Sequence, residues 1–239
     1  MVGSVRRVTN RKGWAADAGR GLLDALFDVR CIRCRQPGAA WCEPCVRQAW
    51  SPQLSRSVSG LPLVSAARYE GCVQQALVAH KERGQLGLAR PLGRLLARAV
   101  ASLGNTEPVV LVACPSSARA VRERGQDHAL RVAEHAARCL RRAHLEVKVA
   151  SPLRLTGPVI DQVGLTVRER RANRRNSIIA RSAPQMVAGV IIVDDVTTSG
   201  STLYEADRAL RAAGWPTLGS AVVARAGPQM GVASTGGLD

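Results

Sequence analysis

Aromatic residues are scarce in this sequence: its 239 residues include one Phe, two Tyr and four Trp. Proteins that bind single-stranded nucleic acid commonly stack the bases on aromatic side chains. So few rings argue against a stacking platform that would hold a single strand directly.

Long apolar runs are also missing, and no stretch approaches the roughly 20 apolar residues that a membrane-spanning helix needs. Near the N-terminus a short apolar run follows several basic residues, but Asp17, Asp24 and Asp28 interrupt it, unlike a secretory signal. With 46% hydrophobic residues and a mean hydropathy of -0.03, wholesale disorder is excluded as well. We therefore expect a soluble cytoplasmic protein with a hydrophobic core.

Lysine is rare, because only Lys12, Lys81 and Lys148 contribute to the 34 basic residues. Arginine therefore carries the net charge of +16 that remains against 18 acidic residues. The guanidinium fork matches phosphate groups, which suits a polyphosphate ligand or nucleic acid. An Arg-rich, Lys-poor composition is equally expected from a GC-rich genome, and the charge alone leaves both interpretations open.

Hydrophobic periodicity predicts an alternation of strands and helices from residue 61 onward, preceded by a short amphipathic helix at 14–27. The predicted strands are 61–69, 109–113, 146–150, 190–195 and 217–224, and the predicted helices are 73–80, 86–103, 129–142 and 201–213. Strands that alternate with helices of about ten or more residues predict an α/β fold. Its sheet is expected to be mostly parallel and covered on both faces.

Changes of composition divide the chain into four predicted parts. Residues 1–50 hold the N-terminal helix and a four-cysteine module, and 51–60 form a polar linker. Residues 61–226 form the α/β domain, and 227–239 form a Gly-rich, nearly uncharged tail that we expect to be disordered. We find no internal repeat.

The N-terminal module contains two CxxC pairs, Cys31 with Cys34 and Cys42 with Cys45, separated by seven residues. Each pair turns the chain tightly enough to offer two thiolates, and two pairs complete the tetrahedral sphere that Zn2+ prefers. A redox CxxC needs no partner pair, and disulfides are disfavoured in the cytosol, but the spacing leaves both alternatives open. The pattern favours a structural zinc ion that stabilises a module too small to bury its own core.

The most informative segment is VIIVDDVTTSGST at residues 190–202, where a buried strand leads into two carboxylates and a loop that opens a helix. Asp194 and Asp195 can accept hydrogen bonds from vicinal sugar hydroxyls and lie near a divalent cation. Gly200 lets a phosphate approach the N–H groups at the helix start. The hydroxyl residues around it add donors: Thr197, Thr198, Ser199, Ser201 and Thr202. The plain alternative is an ordinary strand, turn and helix cap.

This segment resembles the phosphoribosyl pyrophosphate (PRPP) binding motif of the type I phosphoribosyltransferases, a hydrophobic run followed by two acids and a Thr/Ser/Gly loop. The resemblance narrows to the ComF/GntX group, which joins a four-cysteine zinc module to that transferase fold. Three further stretches carry it: VVLVACPSS at 109–117, Arg124 with Gly125, and Gln162, Gly164, Leu165, Glu169, Arg170 and Asn173. Between Gly125 and the following helix the group's Phe, Asn and Gln are replaced by Gln126, Asp127 and His128.

The resemblance implies an α/β fold with a mostly parallel sheet of the type I phosphoribosyltransferase kind and a small N-terminal zinc-binding module. It implies that PRPP, or another phosphorylated ribose, binds with Mg2+, and that Asp194 and Asp195 are the catalytic pair. The other implied PRPP-binding residues are Val196 with the loop from Thr197 to Thr202, and Arg124 and Arg170. The backbone N–H groups of Cys114, Ser116 and Ser117, beside Pro115, are expected to face the pyrophosphate.

The sequence leaves the acceptor and the class of function open. The acceptor of the phosphoribosyl group has no visible pocket, and a PRPP sensor without transferase activity fits the same motifs. The second class of function is an accessory role in DNA uptake, because ComF-type proteins are associated with competence. In that role the protein would bind single-stranded DNA or a helicase-like partner. A homodimer is compatible with these features. Lys81 either reaches a phosphate or is a surface lysine, while His80 and His128 are expected to be buried polar residues rather than catalysts.

Overall fold

The computed structural model describes residues 29–57, 59–117, 120–122, 125–156, 177–185 and 188–227. The predicted helix at 14–27 and all but the first residue of the predicted tail lie outside these ranges.

The described helices are α1 (Glu43–Ala49), α2 (Gly71–Glu82), α3 (Ala89–Ala101), α4 (His128–Arg142) and α5 (Ser201–Ala212), with a 3-10 turn at Leu86–Leu88. The strands are β1 (Gln53–Arg56), β2 (Pro62–Arg68), β3 (Val109–Ala113), β4 (Val147–Ala150), β5 (Leu153–Leu155), β6 (Ile178–Ala180), β7 (Gly189–Thr197) and β8 (Thr217–Arg225). The strands and helices predicted between residues 61 and 224 are therefore confirmed in type and approximate position.

Six strands form one sheet in the order β1-β2-β8-β7-β3-β4. Neighbouring strands of this sheet pair in parallel, except that β1 runs antiparallel to β2. β5 and β6 form a separate antiparallel pair. The prediction of an α/β fold with a mostly parallel sheet is confirmed.

Two hydrophobic cores cover the two faces of this sheet, because successive residues of a strand point to opposite sides. In β3, Val109 and Leu111 belong to one core, whereas Val110 and Val112 belong to the other. Helices α2, α3 and α4 pack on the first face, and α5 with the β5–β6 pair packs on the second. We name these the α2–α4 face and the α5 face.

The order of the strands creates a crevice at one edge of the sheet. β3 and β7 are neighbours in the sheet, but the chain continues from β3 to β4 on one side and from β7 to β8 on the other, so it leaves the carboxyl ends of β3 and β7 in opposite directions. Open α/β sheets bind ligands at such switch points, outside the carboxyl ends of the strands. The segment after β7 is the one that carries the predicted phosphate loop.

The four-cysteine module packs on the α/β core. Cys31, Trp41 and Val46 belong to the same buried cluster as the α2–α4 face. Arg94 of α3 forms an ion pair with Glu43 of α1. These contacts make the module continuous with the main core.

The residues that join the module to the sheet carry a short strand. Within 51–60, the predicted linker, β1 pairs with β2, and the Ser51 N–H donates to the Ala66 carbonyl at 3.0 Å. The guanidinium carbon of Arg98 also lies 4.3 Å from the centre of the Trp50 ring. The domain boundaries themselves stay a prediction.

Within the part of the chain that the structure describes, no helix is both long and apolar enough to cross a bilayer.

Candidate functional site

The two acids of the predicted motif lie near the carboxyl end of β7, beside β8. Asp194 is in register with Val222 of β8 and remains part of the parallel ladder. Val193 packs into the core of the α2–α4 face, so alternation places Asp194 toward the α5 face and Asp195 toward α2. Both acids are half-buried. We call Asp194 and Asp195 the acidic pair.

Lys81, at the end of α2, contacts the acidic pair. Its Nζ lies 3.5 Å from Asp195 Oδ2, and its side chain is 42% exposed while that of Asp195 is 13% exposed. Sequence reasoning left the role of Lys81 open, because 114 positions separate it from Asp195 in the chain. The fold brings the two together by laying the end of α2 over the carboxyl edge of β7.

The environment of the acidic pair raises the pKa of one of its two carboxyl groups. Desolvation by burial, followed by the charge of Asp195, raises the pKa of Asp194 from 3.8 to about 8, although the Asp195 N–H and Lys81 act in the opposite direction. The Asp195 N–H donates to Asp194 Oδ1 at 2.9 Å, and the Val196 N–H donates to Asp195 Oδ1 at 2.7 Å. Asp194 therefore keeps its proton at neutral pH in the empty site, and a bound cation would favour its ionised form, since carboxylate oxygens are the ligands that Mg2+ takes in proteins.

The residues after β7 form a turn that opens α5. Gly200 adopts a φ of +74° directly before the helix, a conformation that a side chain disfavours. The N–H groups of Thr198, Ser199 and Gly200 donate to no other residue that the structure describes. We call residues 198–200 the turn before α5, and its N–H groups with the helix start form an arrangement that binds anions.

Hydroxyl groups around this turn differ in exposure. Thr198 is exposed, whereas Thr197 and Ser201 are 5% and 7% exposed. The Ser199 hydroxyl donates to the Ser201 hydroxyl at 3.1 Å. The side chains of Thr197 and Ser201 are therefore more enclosed than the sequence motif suggests.

Helix α5 is held in place by two buried carboxylates. Asp207 Oδ1 accepts from Thr217 Oγ1 at 2.6 Å and from Arg211 Nε at 2.8 Å. Glu205 accepts from Arg208, which also donates to the Ile178 carbonyl at 2.8 Å. These bonds join α5 to β8 and β6. They fix the position of the helix that follows the turn before α5.

The loop after β3 lies against the acidic strand. The Cys114 N–H donates to the Val193 carbonyl at 2.9 Å, so this N–H is already used within the fold, and the assignment of Cys114 to the PRPP site stays a prediction. The strand ladder continues one residue beyond β3 and uses the donor. The N–H groups of Ser116 and Ser117 donate to no other described residue and remain predicted donors.

Asp127 joins this loop to α4. Its Oδ1 accepts from Ser116 Oγ and from the Leu130 N–H, both at 3.1 Å, so it caps the helix and holds the loop at once. Sequence reasoning placed Asp127 in a stretch that departs from the ComF/GntX pattern. Its position before a predicted helix was the signal that it is an N-cap.

Two buried histidines connect α2 with α4. The rings of His80 and His128 meet edge to face with their centres 4.8 Å apart. His80 Nδ1 lies 3.3 Å from the Gln85 carbonyl, and desolvation by burial lowers the pKa of His80 to about 4. The neutral His80 ring then donates from Nδ1 to the Gln85 carbonyl. This geometry agrees with the prediction that His80 is a buried polar residue. No sequence signal links positions 80 and 128.

Some predicted site residues lie outside the described ranges, among them Arg124 and Arg170, together with Gln162, Gly164, Leu165, Glu169 and Asn173. Val196 is in the described part and packs against the core of the α2–α4 face. Its side chain therefore contributes to packing.

The four predicted metal ligands do come together. The Sγ atoms of Cys31, Cys34, Cys42 and Cys45 all lie within 4.8 Å of one another. The Cys42 N–H points at Cys31 Sγ at 3.4 Å. Burial raises the pKa of Cys45 to about 12, whereas for Cys31 the N–H groups of the knuckle outweigh desolvation and lower the pKa to about 6. Four such sulfurs need a cation to ionise together, and the group can bind a structural zinc ion.

Two surface cavities lie away from the acidic pair. The larger, of about 810 Å³, is at the opposite edge of the sheet, and its one charged residue, Arg211, is already bound to Asp207. The smaller, of about 470 Å³, lies between the four-cysteine module and the start of α2. Neither cavity contains a carboxylate pair, so the acidic pair and the turn before α5 form the stronger candidate site.

No protein-family model matches the chain, and a search of curated proteins gives no match either.

Proposed function

We propose that this chain binds PRPP at the carboxyl edge of its sheet and transfers or senses the phosphoribosyl group, as its motif resemblance to the ComF/GntX proteins and the type I phosphoribosyltransferases implies. One observation carries the proposal. The acidic pair lies near the end of a strand that leads into a turn with three N–H groups that no described residue accepts, beside the loop after β3. The sugar hydroxyls, the 5'-phosphate and the pyrophosphate of PRPP need these three kinds of partner in one place.

Each part of the ligand has a proposed partner. Asp194 and Asp195 accept hydrogen bonds from the vicinal ribose hydroxyls. The N–H groups of the turn before α5 hold the 5'-phosphate, and the α5 dipole adds to the attraction. The N–H groups of Ser116 and Ser117 hold the pyrophosphate. The acidic pair, together with ligand oxygens, would hold Mg2+, which when bound neutralises charge on the pyrophosphate.

In the proposed reaction the bond between C1 of the ribose and the pyrophosphate oxygen breaks, and its electron pair leaves with the pyrophosphate. An electron pair of the acceptor then forms the new bond to C1. Positive charge develops at C1 in between, and the carboxylates of the acidic pair stabilise it. The protein contributes mainly by positioning, since the reacting groups are held at one sheet edge.

The proposed metal of the N-terminal module is a zinc ion with a structural role. Four cysteine ligands leave no coordination position for a substrate. Because Cys31 and Trp41 pack into the main core, the ion would stabilise the α/β domain as well as the module.

Calorimetric titration with PRPP in Mg2+ buffer tests the proposal without knowledge of the acceptor. Wild type is expected to bind, and Asp194→Asn with Asp195→Asn is expected to weaken binding by at least about a hundredfold, because hydrogen bonds to charged groups contribute about 1.5–3 kcal/mol each. Glu146→Gln, at an exposed acid away from the site, is the matched control. Wild type that ignores millimolar PRPP, or a double variant that binds it equally well, would falsify the transferase proposal.

A second candidate is an accessory protein of DNA uptake that binds single-stranded DNA or a helicase-like partner. The net charge of +16 favours it. Among the described residues few aromatic rings are open for base stacking, since Trp41 and Trp215 are buried and Tyr204 is 37% exposed, and Trp50 lies under Arg98. We therefore rank it second.

A further inference from the structure

The four cysteines of the metal cluster differ in exposure. Cys31 is 0% exposed and Cys45 is 5% exposed, whereas Cys42 is half-buried and Cys34 is exposed. An oxidant selects a cysteine by its accessibility and its thiolate character. As zinc ligands all four would be thiolates, so exposure distinguishes them, and an oxidant that arrives from solvent meets Cys34 first.

A second thiol lies within reach of Cys34. The Sγ atoms of Cys34 and Cys42 are 3.6 Å apart, and Cys42 is the more exposed of the other three cysteines in the cluster. Cys31, the CxxC partner of Cys34, is enclosed by the main core, and the Cys42 N–H points at its sulfur at 3.4 Å. Exposure and distance together favour a bond between Cys34 and Cys42, which belong to different CxxC pairs.

The other cysteines of the chain are less suited to react. Cys114 is buried, and Cys72 and Cys139 are half-buried. None of the three belongs to the metal cluster, so no metal ion would hold them as thiolates. They provide an internal comparison for the reactivity of Cys34.

We propose that Cys34 is an oxidation site of this protein, at which a peroxide attacks and Cys42 completes a disulfide that opens the metal cluster. The inference goes beyond the binding of PRPP. It rests on the cysteine cluster alone, so it stands or falls independently of the transferase proposal.

The proposed chemistry has two balanced steps. The Cys34 thiolate attacks one oxygen of hydrogen peroxide, the O–O bond breaks and hydroxide leaves, which gives a sulfenic acid at Cys34. The Cys42 thiolate then attacks the Cys34 sulfur, the S–S bond forms, and the S–O bond breaks with loss of a second hydroxide. The two thiolates lose two electrons, and the peroxide takes up these electrons and two protons to become water.

Oxidation at this site is expected to weaken the whole domain. Cys31 and Cys45 alone cannot complete the four-coordinate sphere of a structural zinc ion. Cys31 and Trp41 pack into the core of the α2–α4 face, and Glu43 of the module pairs with Arg94 of α3. Release of the ion therefore loosens contacts of the main core, and a dithiol reductant with added zinc should restore them.

Peptide mapping of the full-length wild type after treatment with hydrogen peroxide tests the site directly. Trypsin cleaves after arginine, so Cys31 falls in peptide 31–33, Cys34 in 34–35, and Cys42 with Cys45 in 36–47. The expected first product links 34–35 to 36–47, and fragmentation should identify Cys42 as the bonded cysteine.

A zinc-binding dye measures the metal that the same samples release. Loss of one equivalent of zinc should accompany the disulfide, and dithiothreitol with added zinc should reverse both. Cys72→Ser with Cys139→Ser is the matched control and should lose zinc at the wild-type rate. Cys34→His keeps three cysteines and one histidine, a ligand set that zinc accepts, and should retain zinc at a peroxide dose that empties wild type.

Four results would overturn the assignment. These are a first product that links 31–33 to 34–35, first oxidation at Cys72 or Cys139, a Cys34–Cys42 disulfide in protein that keeps its zinc, and Cys34→His that releases zinc as fast as wild type does. The peptide map of wild type decides the site even where Cys34→His fails to fold. Wild type that holds no zinc before oxidation overturns the metal assignment and the proposed release together.

Discussion

The Cys114 N–H donates to the Val193 carbonyl at 2.9 Å, and this bond ties the loop after β3 to the residue that precedes the acidic pair. Two segments that are far apart in the chain thereby start from adjacent points at the edge of the sheet. A ligand that spans them meets groups that are already aligned, which lowers the entropic cost of positioning it.

Asp194→Asn is expected to stabilise the empty protein. Burial and the charge of Asp195 raise the pKa of Asp194 from 3.8 to about 8, so between these values the folded protein keeps a proton that the unfolded chain releases. The free energy of unfolding of wild type therefore falls as pH rises through this window. The variant has no carboxylate to ionise, and its advantage should be absent below about pH 4 and largest above about pH 8.

Thermal unfolding of both proteins across this pH range measures the effect. Glu146→Gln serves as the control and should follow wild type at each pH. A wild type that is more stable than Asp194→Asn in alkaline buffer would contradict the burial penalty.

Gly200→Ala tests the turn before α5, and Gly214→Ala is its control, because both glycines have a positive φ. Gly200 and Gly214 have φ of +74° and +83°, and alanine in this region costs about 1–2 kcal/mol. Both variants should lose similar stability in denaturant unfolding. PRPP affinity should fall in Gly200→Ala alone, since Gly214 lies at the other end of α5; equal affinity losses would argue against a phosphate at the turn.

Removal of the proposed zinc ion is expected to destabilise more than the N-terminal module. Cys31→Ser with Cys42→Ser should abolish one equivalent of bound zinc, measured by elemental analysis. Because Cys31 and Trp41 pack into the main core, thermal unfolding should begin roughly 10 °C lower, the shift expected for a loss of several kcal/mol.

Cys72→Ser with Cys139→Ser is the matched control, because both cysteines are half-buried and lie outside the cluster. It should retain the metal. Wild type without zinc, or a cluster variant with unchanged metal content, would disprove the assignment.

Binding to DNA is expected to be weak and strongly dependent on salt. If the arginine excess reflects composition alone, contacts are to phosphates, and log affinity falls steeply with log salt and shows no preference for sequence or strand. Fluorescence anisotropy with single- and double-stranded oligonucleotides over a salt series measures this. A tight complex that resists salt would place the DNA-uptake function first.

The sequence by itself determined the features that depend on local physics. Apolar periodicity predicted the α/β alternation because each buried strand or helix face needs its own run of apolar side chains. The CxxC spacing predicted the cysteine cluster because each pair turns within a few residues. The strand, two acids and glycine turn of residues 190–202 predicted an acidic pair before a helix start for the same reason.

Only the tertiary structure decided the features that depend on distant parts of the chain. β1, β5 and β6 are short strands that the periodicity did not predict, and they form because β2 or each other supplies the pairing edge. The Lys81–Asp195 contact and the use of the Cys114 N–H arise where the parallel strands end together. Such juxtapositions follow from strand order and helix placement, which packing of the whole core selects, so no window of sequence contains them.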